Sequence, residues 1–293
     1  MVRRLRFLLT SNSIVIPTEA HVLGGRSGGI PFETEGIPPL RSSLITAIHF
    51  GRDDRLNMAT YKTRAIILSS YPYREHDRIV SFYSDEYGRM EARARGARKI
   101  QSKLAGHLEQ FIETELLLAH GKRWDILAGS RTQNAQPSIR NNIESIASAS
   151  VCAQAVKIIT KPLSNDARIF NLLKKALYIL EREDISQLQS RALVGAFLWK
   201  LLAISGFAPE LKNCINCRRE SKDVNFSLEG GGILCNNCKN RDIFAISVNE
   251  SVYKELLESN IASEKSFDIV TRYWSKIVDH TELKSLEFMK SVL

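Results

Sequence analysis

No apolar run in this chain is longer than a few residues, far short of the roughly twenty needed to cross a bilayer, so no membrane-spanning helix is expected. Cysteine is scarce, with five in 293 residues. An odd count suits a reducing cytoplasm better than a disulfide-bonded exterior. Catalytic signatures are missing too. There is no Gly-x-x-x-x-Gly-Lys-Ser/Thr loop to cradle nucleotide phosphates, so no ATPase of that kind is expected. The carboxylates of the strand and loop segments do not gather as a two-metal nuclease requires, and no internal repeat is found. The chain is therefore not expected to be an enzyme. What remains is a globular composition, 44% hydrophobic and 25% charged, with length enough for two domains that each bury a core.

Four of the five cysteines form two Cys-x-x-Cys knuckles, Cys214/Cys217 and Cys235/Cys238, seventeen residues apart. That spacing falls in the window of a four-thiolate zinc site, in which each knuckle curls around one side of a tetrahedral ion. Between them, Phe226–Leu234 reads as a short apolar run, a triple-glycine turn and a second apolar run. Such a hairpin brings the second knuckle back onto the first. Two disulfides, or four unpaired thiols, are the competing readings. Four thiolates leave no open position for water, so the Zn2+ expected here, one per chain, is structural. Cys152, in an apolar helical stretch, reads as a buried core thiol.

The formal net charge is +9, and the surplus is uneven. Gly88–Leu104 holds six basic residues, Arg89, Arg93, Arg95, Arg98, Lys99 and Lys103, against the single acid Glu91. A basic stripe is commonly just a solvated face; one this concentrated points to a polyanion such as nucleic acid. Arg89, Glu91, Arg93 and Arg95 alternate with Met90, Ala92 and Ala94. That period of two belongs to a half-buried strand with its cations on one side. The strand then runs into a loop bounded by Gly96 and Gly106.

Residues 1–57 carry Gly- and Pro-rich stretches and no sustained periodicity. They read as a poorly patterned leader, with Met58 as the expected start of the fold. From Tyr61 come five strand-like runs: Tyr61–Ser69, Asp77–Ser84, Arg89–Arg95, Leu108–Ala119 and Trp124–Ser130. Five short strands with a long third connection suit a partly open OB-type barrel. Helical patterning follows at Ile143–Ile159, at Arg168–Leu180 with Asp166 as N-cap, and at Arg191–Ser205, whose apolar circumference marks a central buried helix. Val248–Glu258, Phe267–Val278 and Ser285–Val292 read as further helices. The expected fold class is α+β: an N-terminal OB-type five-stranded β-barrel over 58–137, then an all-α domain over 138–293 with a four-cysteine zinc-binding hairpin inserted at about 211–241.

The residue types allow backbone-directed binding of nucleic acid. Arg93, Arg95, Arg98, Lys99 and Lys103 can neutralise phosphates and release counterions, with Arg89 joining from the same strand face. Aromatic residues can stack bases, but Phe82, Tyr83, Phe111 and Trp124 lie in strands, where core packing is the commoner role. Two other classes remain open: a zinc-stabilised RNA-binding transcription or translation factor using the same barrel, and a protein adaptor with incidental charge.

With these motifs placed, the chain resembles the bacterial RecO family of recombination and repair mediators. The likeness is carried by Tyr61-Lys-Thr-Arg-Ala-Ile-Ile-Leu68, Glu75-His-Asp-Arg-Ile-Val80, Glu86-Tyr-Gly-Arg89, Arg95-Gly-Ala-Arg-Lys99, Ser102-Lys-Leu-Ala-Gly-His-Leu-Glu-Gln-Phe111 and Gly206-Phe-Ala-Pro-Glu-Leu211. It covers about 58–293; the leader has no counterpart, and Arg95 stands where lysine is expected. The resemblance implies binding of single- and double-stranded DNA, annealing of complementary strands, and help in loading RecA, together with RecR, onto strands coated with single-stranded DNA-binding protein (SSB). It further implies that the acidic, apolar-ended C-terminal tail of SSB docks on the helical domain, and that the protein is cytoplasmic and nucleoid-associated, with no membrane partner.

Overall fold

The computed structural model describes residues 60–292 apart from 183–184, 222 and 280–282; the 1–57 leader and its boundary at Met58 lie outside the described residues. Five strands come first: β1 (Thr60–Tyr73), β2 (Asp77–Ser84), β3 (Gly88–Ala94), β4 (Glu113–Ala119) and β5 (Asp125–Asn134). They pair in the order β1-β2-β3-β5-β4, and β4 returns to β1, so the sheet closes into a barrel. All contacts are antiparallel except the short parallel seam joining Ala92 and Arg93 to Asp125 and Ile126.

The apolar run Ala65–Leu68 is buried on both sides because the two faces of β1 meet different cores. Ala65 and Ile67 point into the barrel with Val80, Phe82, Ala92, Ala94, Leu116 and Leu118. Ile66 and Leu68, with Tyr83 and Phe111, point outward into the core of the helices. Polar contacts reinforce that seam. Lys174 Nζ meets Glu113 Oε1 at 2.6 Å, Lys157 Nζ donates to Ser69 Oγ at 3.0 Å, and Tyr83 bonds the backbone of Asp166.

The expected fourth strand begins too early. Residues 108–112 are largely buried, but Phe111 has φ +74° and the stretch is not a strand. Its backbone instead clips β1 at one point: Phe111 N donates to Ile67 O, and Ile67 N donates to Ile112 O. Burial made this segment look like a strand; the left-handed residue prevents it.

Seven helices follow among the described residues: α1 (Pro137–Asn141), α2 (Ile143–Ile159), α3 (Ala167–Leu180), α4 (Gln187–Ile204), α5 (Glu250–Glu258), α6 (Glu264–Ile277) and α7 (Lys284–Val292). Caps set their starts. Asn142 accepts from the Glu144 and Ser145 amides, and Asp166 caps α3 as its sequence position suggests. α4 starts four residues before the expected Arg191 because Ser186 and Gln189 form a capping box. It is buried around most of its circumference, as a central helix must be. Gly206, at φ +88°, ends it, with Phe207 N returning to Leu202 O.

The helical region also holds a three-stranded sheet of order β7-β6-β8, formed by β6 (Val224–Ser227), β7 (Gly232–Cys235) and β8 (Ile246–Val248). The β6–β7 hairpin is the one the triple glycine implies. β8 is a correction: Val248 pairs with Val224 rather than opening a helix, and the sheet runs past the expected 211–241 insertion. α5 starts after the Asn249 cap.

Candidate nucleic-acid interface and metal centre

The alternation of β3 is as its sequence implies, with Met90, Ala92 and Ala94 on the barrel core. The cations on its other face are not equivalent. Arg93 donates Nε–H to Asp77 Oδ2 at 2.7 Å and lies over the Tyr73 ring, its carbon 5.4 Å from the centroid. Arg89 is half-buried, and its backbone oxygen accepts from Leu163 N. Arg95, Arg98, Lys99 and Lys103 are exposed, and among the described residues none of the four pairs with a carboxylate.

The loop carrying these four cations is built rather than draped. Asp77, 8% exposed, also accepts from the Gly96 amide through Oδ1 at 2.8 Å. Burial alone would raise its carboxyl, but the Gly96 N–H and the Arg93 guanidinium outweigh that and hold it below the usual carboxylate range. Arg98 N donates to His76 O, and the Arg98 guanidinium reaches the carbonyls of Arg74 and Glu75. Ala97, Leu104 and Leu108 are pegs in the barrel core. Between them Ile100 stands fully exposed at the tip. The result is a hydrogen-bonded cationic rim able to follow a phosphate backbone without reading bases.

Other polar and aromatic residues of the barrel have roles of their own. Arg64 pairs with Asp85 at 2.7 Å and Lys62 with Glu115 at 3.8 Å, so both are neutralised locally. His107 Nδ1 shares a hydrogen bond with Thr132 Oγ1 at 2.7 Å, a role in the barrel. Phe82, Tyr83 and Phe111 are core. Trp124 is only half-buried: Arg123 lies over its ring at 4.2 Å and Tyr73 meets it edge-on at 5.1 Å.

At the other candidate site, the sulfurs of Cys214, Cys217, Cys235 and Cys238 all lie within 4.8 Å of one another. All four are free thiols, and the Cys217–Cys235 sulfurs are 3.8 Å apart. Sulfurs bonded at about 2.3 Å to one tetrahedral ion would be separated by about 3.8 Å. The surroundings divide the four: burial pushes the Cys235 thiol up to about 11, while N–H donors favour thiolate at other members. Cys235 N–H points at Cys214 Sγ at 3.4 Å, and Asn216 Nδ2 donates to Cys238 Sγ at 3.2 Å. Burial would raise the Cys214 thiol, yet the backbone N–H groups of Cys217, Cys235 and Asn216 bring it down to about 6. Together the four residues can hold a metal ion with no position left over. The hairpin behind them is fixed to the helices by Phe226, packed against Trp199 at 6.1 Å and Tyr273 at 5.5 Å.

Both regions fall within known protein families. Recombination protein O N terminal matches residues 58–131, and Recombination protein O C terminal matches 140–263. The DNA repair protein RecO of Dehalococcoides mccartyi strain CBDB1 is 35% identical over 208 residues, 69% of this chain and 80% of the relative. The chain belongs to the RecO family. A more divergent relative, the DNA repair protein RecO of Alkaliphilus metalliredigens strain QYMF, is 24% identical over 246 residues, 79% of this chain and 99% of that one.

In this RecO-family chain, sequence reasoning missed the carboxylate that organises the loop. Asp77 stands sixteen residues from Arg93, and only the β2–β3 pairing brings them together. Its signal was weak: an acid opening a strand, beside the Glu75-His76 turn. Also missed was the grouping of Tyr73, Arg74, Arg93, Arg123 and Trp124 into one aromatic and guanidinium surface.

Proposed function

We propose that this chain is a DNA repair and recombination mediator that binds single- and double-stranded DNA through the rim formed by Arg95, Arg98, Lys99 and Lys103. The barrel acts as an OB-type fold. Its strands present the rim, and Arg93 serves chiefly to hold Asp77 rather than DNA. Because the rim contacts phosphates and reads no bases, it can hold two strands while they search for register, which is the requirement for annealing complementary DNA. The observation carrying this reading is the set of four exposed cations that have no carboxylate partner among the described residues, on a loop whose root Asp77 holds through Gly96.

In this reading the protein also helps load RecA onto SSB-coated strands together with RecR, and its helical region receives the acidic tail of SSB through apolar contact and salt-sensitive attraction. No catalytic step is assigned to it. Zn2+ occupies the four sulfurs and has a structural role: a d10 ion with four thiolates stabilises the hairpin and offers no Lewis-acid position. The place of action is the cytoplasm, at the nucleoid.

Annealing of complementary oligonucleotides, naked and SSB-coated, tests the proposal. Acceleration on both substrates, dependent on the rim cations, is expected. A protein that binds DNA yet leaves both annealing rates unchanged contradicts it.

A further inference from the structure

A cleft of about 370 Å³ lies beside β3 and the start of β5, closed on one side by the loop between α2 and α3. We infer that this cleft receives one nucleotide of a single DNA strand, its base against Trp124 and its phosphate on Arg89 and Arg123. The inference rests on the reading that the barrel binds nucleic acid, and adds to it a second contact region, partly built by the helical half of the chain.

Four observations converge. The first is an uncommitted donor: Arg89 is one of the residues lining the cleft, and its Nε is buried with no hydrogen-bond partner among the described residues. A buried charged donor left unpaired is costly, and an anion entering the cleft would satisfy it. Second, Trp124 lines the same space and is the least buried of the three tryptophans; Trp199 and Trp274 are 4% and 1% exposed. An indole lining a cleft is a stacking platform for any base. Third, the two lining carboxylates differ. Asp125 is already engaged by the Tyr61 hydroxyl and the Gly121 amide, whereas the Glu91 carboxylate has no hydrogen bond or ion pair among the described residues. Glu91 can accept from the N–H edge of a base, and it disfavours a second phosphate. Fourth, the volume lies at the small end of ligand sites, which suits a single nucleotide.

The wall supplied by the α2–α3 loop is held in place. Leu163 N donates to Arg89 O at 2.9 Å, Pro162 bridges Arg89, and Leu163 stands 70% exposed at the rim with φ +58°. A series of contacts also links the cleft to the cationic rim. Trp124 touches Tyr73, Tyr73 carries Arg93, and Arg93 holds Asp77, which bonds Gly96 at the root of the loop. A strand following phosphates along the rim would reach the cleft without leaving the barrel surface. A duplex, whose bases are stacked inside, could use the rim but not the cleft.

Intrinsic tryptophan fluorescence of the full chain, titrated with a single strand, an abasic strand of equal length and a duplex, tests this directly. The single strand should quench the emission, and the abasic strand should quench little and bind on the order of tenfold more weakly. Trp124→Ala should lose on the order of tenfold in single-strand affinity with duplex affinity nearly unchanged, and Trp124→Phe should recover part of the loss. Leu163→Gly, which suits the left-handed backbone, should weaken single-strand binding without unfolding the protein. Equal quenching and affinity for abasic and intact strands would overturn the cleft, as would Trp124→Ala binding both forms like wild type. If Trp124→Ala weakens binding while reversal of Arg98 and Lys99 does not, the cleft stands and the rim reading fails. Absence of any DNA binding by the wild-type protein overturns both.

Discussion

The cationic loop of the barrel and the cysteine hairpin of the helical region solve the same problem with opposite means. Each must hold several like-charged groups close together. At the hairpin, four sulfurs within 4.8 Å of one another can share a single cation, and backbone N–H groups favour the thiolate of Cys214. At the loop, among the described residues, no carboxylate pairs with the four cations. A single buried carboxylate, Asp77, fixes the loop's root through Gly96 and Arg93 and leaves Arg95, Arg98, Lys99 and Lys103 facing water. With a metal ion bound, the hairpin would neutralise its charges internally and serve as structure. The loop leaves its charges without carboxylate partners among the described residues, and under the proposed function that is what makes it a binding surface. The difference implies that stability and DNA affinity are separable, and mutations can test whether they are.

The largest loss of stability is expected at the hairpin. Replacing Cys214 and Cys217 together with serine should release the metal and destabilise the helical region by ~4 kcal/mol or more. DNA affinity should change much less than stability. Metal analysis together with thermal unfolding checks this; protein prepared under reducing conditions that contains no bound metal would contradict it.

Gly88→Ala should come next. The residue sits at φ +71°, and a Cβ there would lie 2.1 Å from the Ser164 carbonyl oxygen. Left-handed strain and the backbone clash together should cost about 2–4 kcal/mol, measured by chemical denaturation. Because this glycine lets the α2–α3 loop approach the barrel, the variant also asks whether the seam between the two regions matters to either function.

Asp77→Asn should cost about 1–3 kcal/mol and loosen the root of the loop, so that DNA affinity falls although every phosphate-binding cation is still present. The carboxyl is held below its ordinary value in the folded protein. Its contribution is therefore fully present above the unfolded-state pKa of about 4 and is lost as pH falls through the lower folded value. The wild type should lose stability over that acid range more steeply than the Asn variant. Parallel acid limbs in the two proteins would remove Asp77 from its anchoring role.

Much of this was legible in the sequence where a local pattern determined the outcome. The Cys-x-x-Cys spacing implied the sulfur cluster, and the strict alternation of 89–95 placed Met90, Ala92 and Ala94 in the barrel. Caps such as Asp166 were visible because capping is a property of adjacent residues. What escaped depends on pairing across the chain. Nothing near Arg93 shows that Asp77 will neutralise it, and nothing in 108–112 shows that Phe111 will take a left-handed turn. β8, only three residues long, has too little sequence to display a period. The six basic residues of Gly88–Leu104 thus read as one group, whereas the fold divides them into a half-buried pair and an exposed quartet.

The smallest effect on folding, and the most direct test of the whole account, belongs to Arg98→Glu combined with Lys99→Glu. Oligonucleotide affinity should be measured across a salt series, with circular dichroism and metal content as controls. The account predicts an unchanged fold and metal content, markedly weaker binding, little dependence on base sequence, and a single-strand salt slope reduced by about 0.7 for each phosphate no longer neutralised. A double variant that is folded, keeps its metal and binds DNA at wild-type strength at every salt concentration would contradict it.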